Sequence, residues 1–234
     1  MKKVAFIAFS ILGFVACTPE KTSGNTHISG EIKGLKQGTL YIQQVKDSTL
    51  VTIDSIVLKG KSTFETGFDL TEPEVLYLGL NRGVSQSVDN VILFFAEPGN
   101  LTINSSLEHF SSDAVVTGSE NQTLYNKYLK RRSAITNQQN ELIKAQLLAM
   151  KNNQTAKVED LEQAIERSNR RYYLNAVSFA LKNNKNAVAP YVALTDVAPI
   201  NGKYLDTIYQ TLSPEITKSK YGIILKDYLE LLKK

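Results

Sequence analysis

The chain has one cysteine, no tryptophan, two histidines and six prolines in 234 residues. A single cysteine forms no intrachain disulfide and no thiolate metal cage. The histidines, His27 and His109, lie far apart in the chain. His27 is expected to open a strand and His109 to sit in a polar loop, so neither has an evident nucleophile to activate. No Gly-x-Ser-x-Gly, Ser-x-x-Lys, His-Glu-x-x-His or phosphate-binding glycine loop occurs. Gly30 to Gly34 and Gly79 to Gly83 share the GxxxG spacing, but in strand or turn contexts where it carries no membrane meaning. Charge of one sign is also lacking: 27 Lys+Arg face 23 Asp+Glu, and setting aside Lys2 and Lys3 leaves 25 against 23. That balance does not suggest a nucleic-acid partner. These absences lead to the expectation of a protein that is not an enzyme and carries no metal or other cofactor.

No apolar run reaches the roughly 20 residues of a membrane-spanning helix. The longest opens the chain. Lys2 and Lys3 precede an apolar stretch from Val4 to Val15, broken by Ser10 and Gly13 and closed by Ala16 and Cys17. Those three parts read as a secretory signal, residues 1–16. Phe14-Val15-Ala16-Cys17 resembles the lipobox of bacterial lipoproteins, in which the cysteine is diacylated and becomes the new N-terminus. The resemblance implies lipid attachment at Cys17, after which this chain has no thiol for redox or nucleophilic chemistry. Two or three acyl chains make a stable anchor. Thr18 is not the aspartate that holds many such proteins at the inner membrane. Glu20-Lys21 is not the acidic run of surface-exposed ones. The expected location is therefore the outer membrane facing the periplasm, with surface exposure the alternative.

Residues 17–26 read as the lipidated cysteine and a polar tether. Beyond them the composition changes once, near Gly118. Ten of the 13 glycines lie from Gly24 to Gly118, and two, Gly202 and Gly222, follow. Glycine punctuates hairpins and weakens helices, so residues 27–118 are expected to be β-rich and 119–234 helical. Strands are expected at 27–33, 39–44, 50–58, 62–69, 75–80, 91–96, 101–104 and 114–116. Several alternate, such as Leu40 and Ile42 against Tyr41 and Gln43, or Val51 and Ile53 against Thr52 and Asp54, which implies one buried face. Ser119 and Gln122 have capping-box spacing. From there Leu124, Tyr128, Ile135, Leu142 and Ala149 mark one helix face. Val158, Leu161, Ile165, Tyr172, Ala176 and Phe179 mark a second helix after Asn152-Asn153. Shorter helices follow around 188–194 and 203–212, and Ser213-Pro214 reads as the start of a last helix through Leu232. The expected fold class is α+β: an antiparallel sandwich or barrel, then an all-α part with a long helical hairpin.

Several stretches carry a resemblance. They are His27 to Leu35, Leu40-Tyr41-Ile42, Asp54-Ser55-Ile56, Pro73-Glu74, Phe95 to Leu101 and Val116 to Asn121. They resemble domain-of-unknown-function family 4369 (DUF4369), the N-terminal domain preceding the thioredoxin domain of envelope thiol-disulfide oxidoreductases. Lys182-Asn183-Asn184 through Pro190, and Ser219-Lys220-Tyr221-Gly222, are similar to the helical linker of those proteins. The resemblance implies a redox context, but no Cys-x-x-Cys pair is present here, so the relatives' redox activity does not transfer. The thioredoxin domain is expected to be missing. Two functions remain open: a lipid-anchored, non-catalytic binding or assembly module using its sheet face or the groove between its parts, or an accessory of an oxidoreductase acting in trans.

Three charged or polar groupings complete the reading. Glu72 and Glu74 flank Pro73 and read as edge-strand polarity; Glu159, Asp160 and Glu162 read as acids at a helix start. Lys127, Lys130, Arg131 and Arg132 on the first long helix, with Arg167, Arg170 and Arg171 on the second, are expected to converge across the hairpin, with residue 131 near residue 175. Such a patch suits lipid phosphates or an anionic glycan. Finally, Asp54-Ser55-Ile56 and Asp206-Thr207-Ile208 resemble the acceptor triplets of envelope O-glycosylation, which implies modification at Ser55 and Thr207.

Overall fold

The computed structural model describes residues 23–81, 88–198 and 203–233. The expected signal segment, the expected lipid-attachment residue Cys17 and most of the expected tether lie outside them.

Eight strands come first: β1 Thr26–Lys33, β2 Gln37–Lys46, β3 Thr49–Lys59, β4 Thr63–Phe68, β5 Glu74–Asn81, β6 Val91–Ala96, β7 Gly99–Ser106 and β8 Val115–Thr117. They form two four-stranded sheets, ordered β4-β1-β7-β8 and β3-β2-β5-β6. The pairings are antiparallel except that β1 runs parallel to β7. The inner faces share one core, to which Ile28, Ile32, Leu101 and Ile103 come from the first sheet and Leu40, Ile42, Leu76 and Phe94 from the second. This is the expected sandwich, with one parallel pair that strand spacing alone does not reveal.

β2 and β3 form a hairpin turning at Asp47 and Ser48, both at positive φ (48° and 66°), as a two-residue turn between twisted strands requires. Its register shifts at Ile42/Gln43. Beyond that shift the hairpin outruns the opposite sheet, so Val51, expected on a buried face with Ile53, is exposed while Ile53 is half-buried. Thr26, expected at the end of the tether, is instead the buried first residue of β1. Asn25 is already pinned, its side chain exchanging hydrogen bonds with the backbone of Leu70 at 2.8 Å each.

The helical part comprises α1 Glu120–Lys151, α2 Thr155–Lys182, α3 Val188–Val192, a π-helical turn Ala193–Val197, α4 Lys203–Thr211, a 3-10 turn Ile216–Lys218 and α5 Lys220–Leu232. The α1/α2 hairpin turns at Asn153, which takes a positive φ of 54°. Glu159, Asp160 and Glu162 are exposed but lie past the first turn of α2, which holds no acid. The last helix begins later than Ser213-Pro214 suggests. The intervening 3-10 turn folds back, and Ser219 caps α5 by accepting the Gly222 N–H at 3.3 Å. Gly222 permits that close return: a Cβ there would lie 2.0 Å from the Ile216 carbonyl oxygen.

The neighbouring strands β5 and β6, the latter at the sheet's edge, are apolar on both faces. Leu76, Leu78, Ile92 and Phe94 point into the sandwich, while Val75 and Phe95, paired in register, join a second core with Tyr125, Tyr128, Val192, Tyr221 and Leu225. A continuous apolar run is what a strand covered on both sides needs. The molecule thus has three layers where the helices cover this sheet.

Candidate functional site

One set of polar groups that joins helices to sheet lies at the start of α1. Ser119 accepts the Gln122 N–H at 3.0 Å, the expected cap. The reciprocal half of a capping box is absent, because the Gln122 side chain faces the sheet instead. Its Oε1 accepts the Phe95 N–H at 2.6 Å and its Nε2 donates to Asn126 Oδ1 at 2.7 Å. Glu97 occupies the helix terminus, accepting from the Glu120 N–H and, at 2.8 Å, from Asn121 Nδ2, where a negative charge is stabilised by the helix dipole. Asn121 Oδ1 in turn accepts the Val188 N–H at 2.9 Å. Gly118 lets the chain enter this joint, with φ 98° and space for no Cβ against the Asn100 carbonyl, 2.1 Å away.

Next to this joint is a cleft of about 600 Å³ between the β2–β3 hairpin, β5 and the helices, lined by Tyr77, Tyr191, Thr195, Lys220, Tyr221 and Ile224 among others. The rings pack edge to face: Phe95 against Tyr191 at 5.2 Å and Tyr191 against Tyr221 at 5.1 Å between centroids, an arrangement favoured by the aromatic quadrupole. Tyr221 Oη accepts the Val75 N–H at 2.8 Å. Burial pushes the hydroxyls of Tyr77, Tyr191 and Tyr221 above the ordinary tyrosine range, so they stay protonated and serve as hydrogen-bonding groups rather than bases. Glu74 and Glu72 sit beside the cleft, both engaged by Lys220: Glu74 by its ammonium, Glu72 by its backbone N–H at 2.8 Å. β5 is a central strand and Glu74 is buried, so these acids are not the edge-strand polarity expected of them.

Behind the cleft, the π-helical turn carries Asp196, a carboxylate 8% exposed. It accepts from Tyr128 Oη at 2.5 Å, from Tyr172 Oη at 3.1 Å and from Arg132 Nη1 at 3.1 and 3.3 Å. The π turn, closed by the Ala198 N–H on the Ala193 carbonyl at 2.9 Å, helps present this residue to both long helices; such bulges recur where a side chain must be re-aimed. Burial first, then the bond to Asp196, raises the Tyr128 hydroxyl far above its ordinary value. Tyr172 is raised by burial and by the Asp196 charge. Burial alone would lower Arg132, but the Asp196 carboxylate outweighs it and holds the guanidinium above its ordinary range. With three donors the carboxylate is saturated, which makes this cluster a fastener of α1 and α2 to the body.

This corrects the expected basic patch. Arg132 turns inward to Asp196, and Lys130 is exposed and is not among the residues lining the two cavities that the other cations line. The hairpin does bring Arg131, Arg167, Arg170 and Arg171 to one open groove, with Asn175 opposite Arg131 as expected, while Lys127 and Lys182 line an adjoining cavity. Ser55 is exposed on β3 and Thr207 exposed on α4. His27 lies half-buried on β1, and His109 is exposed in a loop 4.0 Å from Glu108. Among the described residues, no group of three or more His, Cys, Asp or Glu side chains is placed to hold a metal ion, and no helix is long and apolar enough to cross a membrane.

The joint at the start of α1 falls within a family match. Residues 26–125 match the family Domain of unknown function (DUF4369). The DUF4369 match runs past the last strand and includes the first turn and a half of α1, so it takes in Ser119, Gln122 and Tyr125, the residues that dock the helix on β6. Comparison with curated proteins returns no match.

Sequence reasoning missed Asp196, Tyr191 and Tyr221. Asp196 and Tyr128 are 68 residues apart in the chain. The one available signal was a lone acid in the apolar segment Val188 to Ala198, which requires buried partners.

Proposed function

We propose that this protein is a lipid-anchored, non-catalytic module of the cell envelope that binds or assembles partners, held to the outer membrane through Cys17. The observation that supports the binding role is the composition of the cleft: protonated tyrosines beside Val45, Val75 and Ile224, with polar groups from Lys46, Asp47, Ser48 and Thr195, and with the neighbouring acids Glu72 and Glu74 already committed to Lys220. Aromatic rings with polar tips are the residues that interfaces use most. The partner is an envelope protein or glycan entering between Tyr77 and Ile224. A photo-crosslinking residue placed at Ile224, 42% exposed, captures a discrete envelope partner in intact cells, while the same probe at exposed Glu159 on the hairpin does not. Equal labelling from both positions removes the cleft from the account. Anchoring has its own test: the mature protein has the mass of residues 17–234 plus lipid, and an unmodified Cys17 with residues 1–16 retained overturns it.

A second reading, an accessory of a thiol-disulfide oxidoreductase acting in trans, is favoured by the DUF4369 match together with the resemblance of 182–190 and 219–222 to those enzymes' linker. If the captured partner carries a reactive Cys-x-x-Cys pair, this reading replaces the first.

A further inference from the structure

The outward face of the α1/α2 hairpin has a charge pattern that no contact among the described residues explains. Arg131, Arg167, Arg170 and Arg171 line an open groove of about 710 Å³ floored by Ile135 and Leu174. Lys127 and Lys182 line the adjoining cavity, and the two share Arg131, Asn175 and Ser178, so they form one continuous trough. Among the described residues, no Asp or Glu lines either part. Among the described residues Arg131, Arg167 and Arg170 form no ion pair, and Arg171 is held toward the groove by Gln138. The side-chain nitrogen of Asn175, where the two cavities meet, has no hydrogen-bond partner. Six cations thus share one face, Arg131, Arg167, Arg170 and Arg171 with Lys127 and Lys182. Mutual repulsion at that density is unfavourable unless an anion relieves it.

Three features select the anion. Arginine forks match phosphate oxygens in paired hydrogen bonds. The cations spread along α1 from Lys127 to beside Gln138, roughly 16 Å at 1.5 Å per residue, which is too far for one phosphate and suits an array. The place where the chain enters the fold supplies the array. Asn25 accepts the Gly99 N–H at 2.9 Å, and Gly118, just before α1, lies against Asn100. Entry point and start of α1 therefore share one end of the sandwich. Residues 18–25 reach at most about 28 Å, so an anchor at Cys17 holds the groove's near end close to a bilayer. We propose that the basic trough between α1 and α2 binds the phosphates of anionic phospholipids and lays the hairpin against the membrane that carries the anchor. Only the nearness of the bilayer rests on the lipid-anchor reading; the binding itself does not.

The test uses the full chain with Cys17→Ala, so that acyl chains contribute nothing, and vesicles of phosphatidylcholine with or without 30% phosphatidylglycerol at about 0.1 M salt. Partition into the anionic vesicles exceeds that into neutral ones by tenfold or more, falling as salt rises. R131Q/R171Q removes most of that preference. So does R167Q/R170Q, the second variant that guards against loss of the Arg171–Gln138 bond. The charge-matched K36Q/K61Q, at exposed loop lysines far from the hairpin in sequence, retains it. Equal partition into both vesicles overturns the proposal, as does an equal loss in all three variants, which marks non-specific attraction. Displacement by millimolar inorganic phosphate at constant ionic strength overturns the lipid source in favour of a free phosphate. Failure of lipidation at Cys17 would appear in the intact mass and leave these outcomes unaffected.

Discussion

Gln122 on the first turn of α1 accepts the backbone N–H of Phe95 on the edge strand β6 at 2.6 Å. Both ends of this bond are buried, so its loss leaves a donor dry. Gln122→Ala is expected to cost about 1–3 kcal/mol, read as a lower urea midpoint with the m-value unchanged. Stability unaltered by the substitution would show that water reaches Phe95 N in solution.

Asp196 ties α1 and α2 to the body through Tyr128, Arg132 and Tyr172. Asp196→Ala removes the shared acceptor and strands buried hydroxyls, with an expected loss of about 3–5 kcal/mol. Amide exchange in the hairpin base should quicken more than in β1 or β7. Uniform quickening across both would refute the fastening role.

Alkaline stability follows from the tyrosines. Tyr77, Tyr125, Tyr128, Tyr172, Tyr191 and Tyr221 are all raised above the ordinary value of 10.0, first by burial. A folded-state value above the unfolded one means that the unfolded chain gives up protons first as pH rises. Their contribution is therefore complete below pH 10 and is lost progressively above it. Melting temperature should fall steeply above pH 10, and ultraviolet titration should show these six of the 11 tyrosines ionising together with unfolding. Six that titrate reversibly without unfolding would contradict their burial.

Gly222→Ala forces a Cβ against the Ile216 carbonyl at 2.0 Å. Backbone must shift, at an expected cost of roughly 2–3 kcal/mol, seen in thermal melts. Ile223→Ala, one residue on and 49% exposed, should cost far less; equal effects would place the strain elsewhere.

Local chemistry was legible in the sequence. Strand positions followed from alternation and glycine, the hairpin tip from Asn152-Asn153, and the cap from Ser119. What failed was long-range pairing. The parallel contact of β1 with β7 joins segments some 70 residues apart, and nothing local to either announces a partner. Glu74 looked like an edge residue because its answering charge, Lys220, comes 146 positions later. Arg132 and Arg131 are neighbours with the same side chain. One faces Asp196 and the other solvent because helical geometry turns successive residues by about 100°, and only knowledge of which face meets the body separates them. Ser213-Pro214 imitated a helix start that Ser219 actually provides, since both offer a hydroxyl before a helical turn.

Val75 and Phe95 turn their backs on the sandwich and find their neighbours among the helices. A fragment trimmed to the strands would leave that oily wall bare to water, inviting self-association. Any protein that inherits the β-sheet module must therefore bring its own roof for β5 and β6, and whatever arrives as that roof fixes which cleft the module can offer.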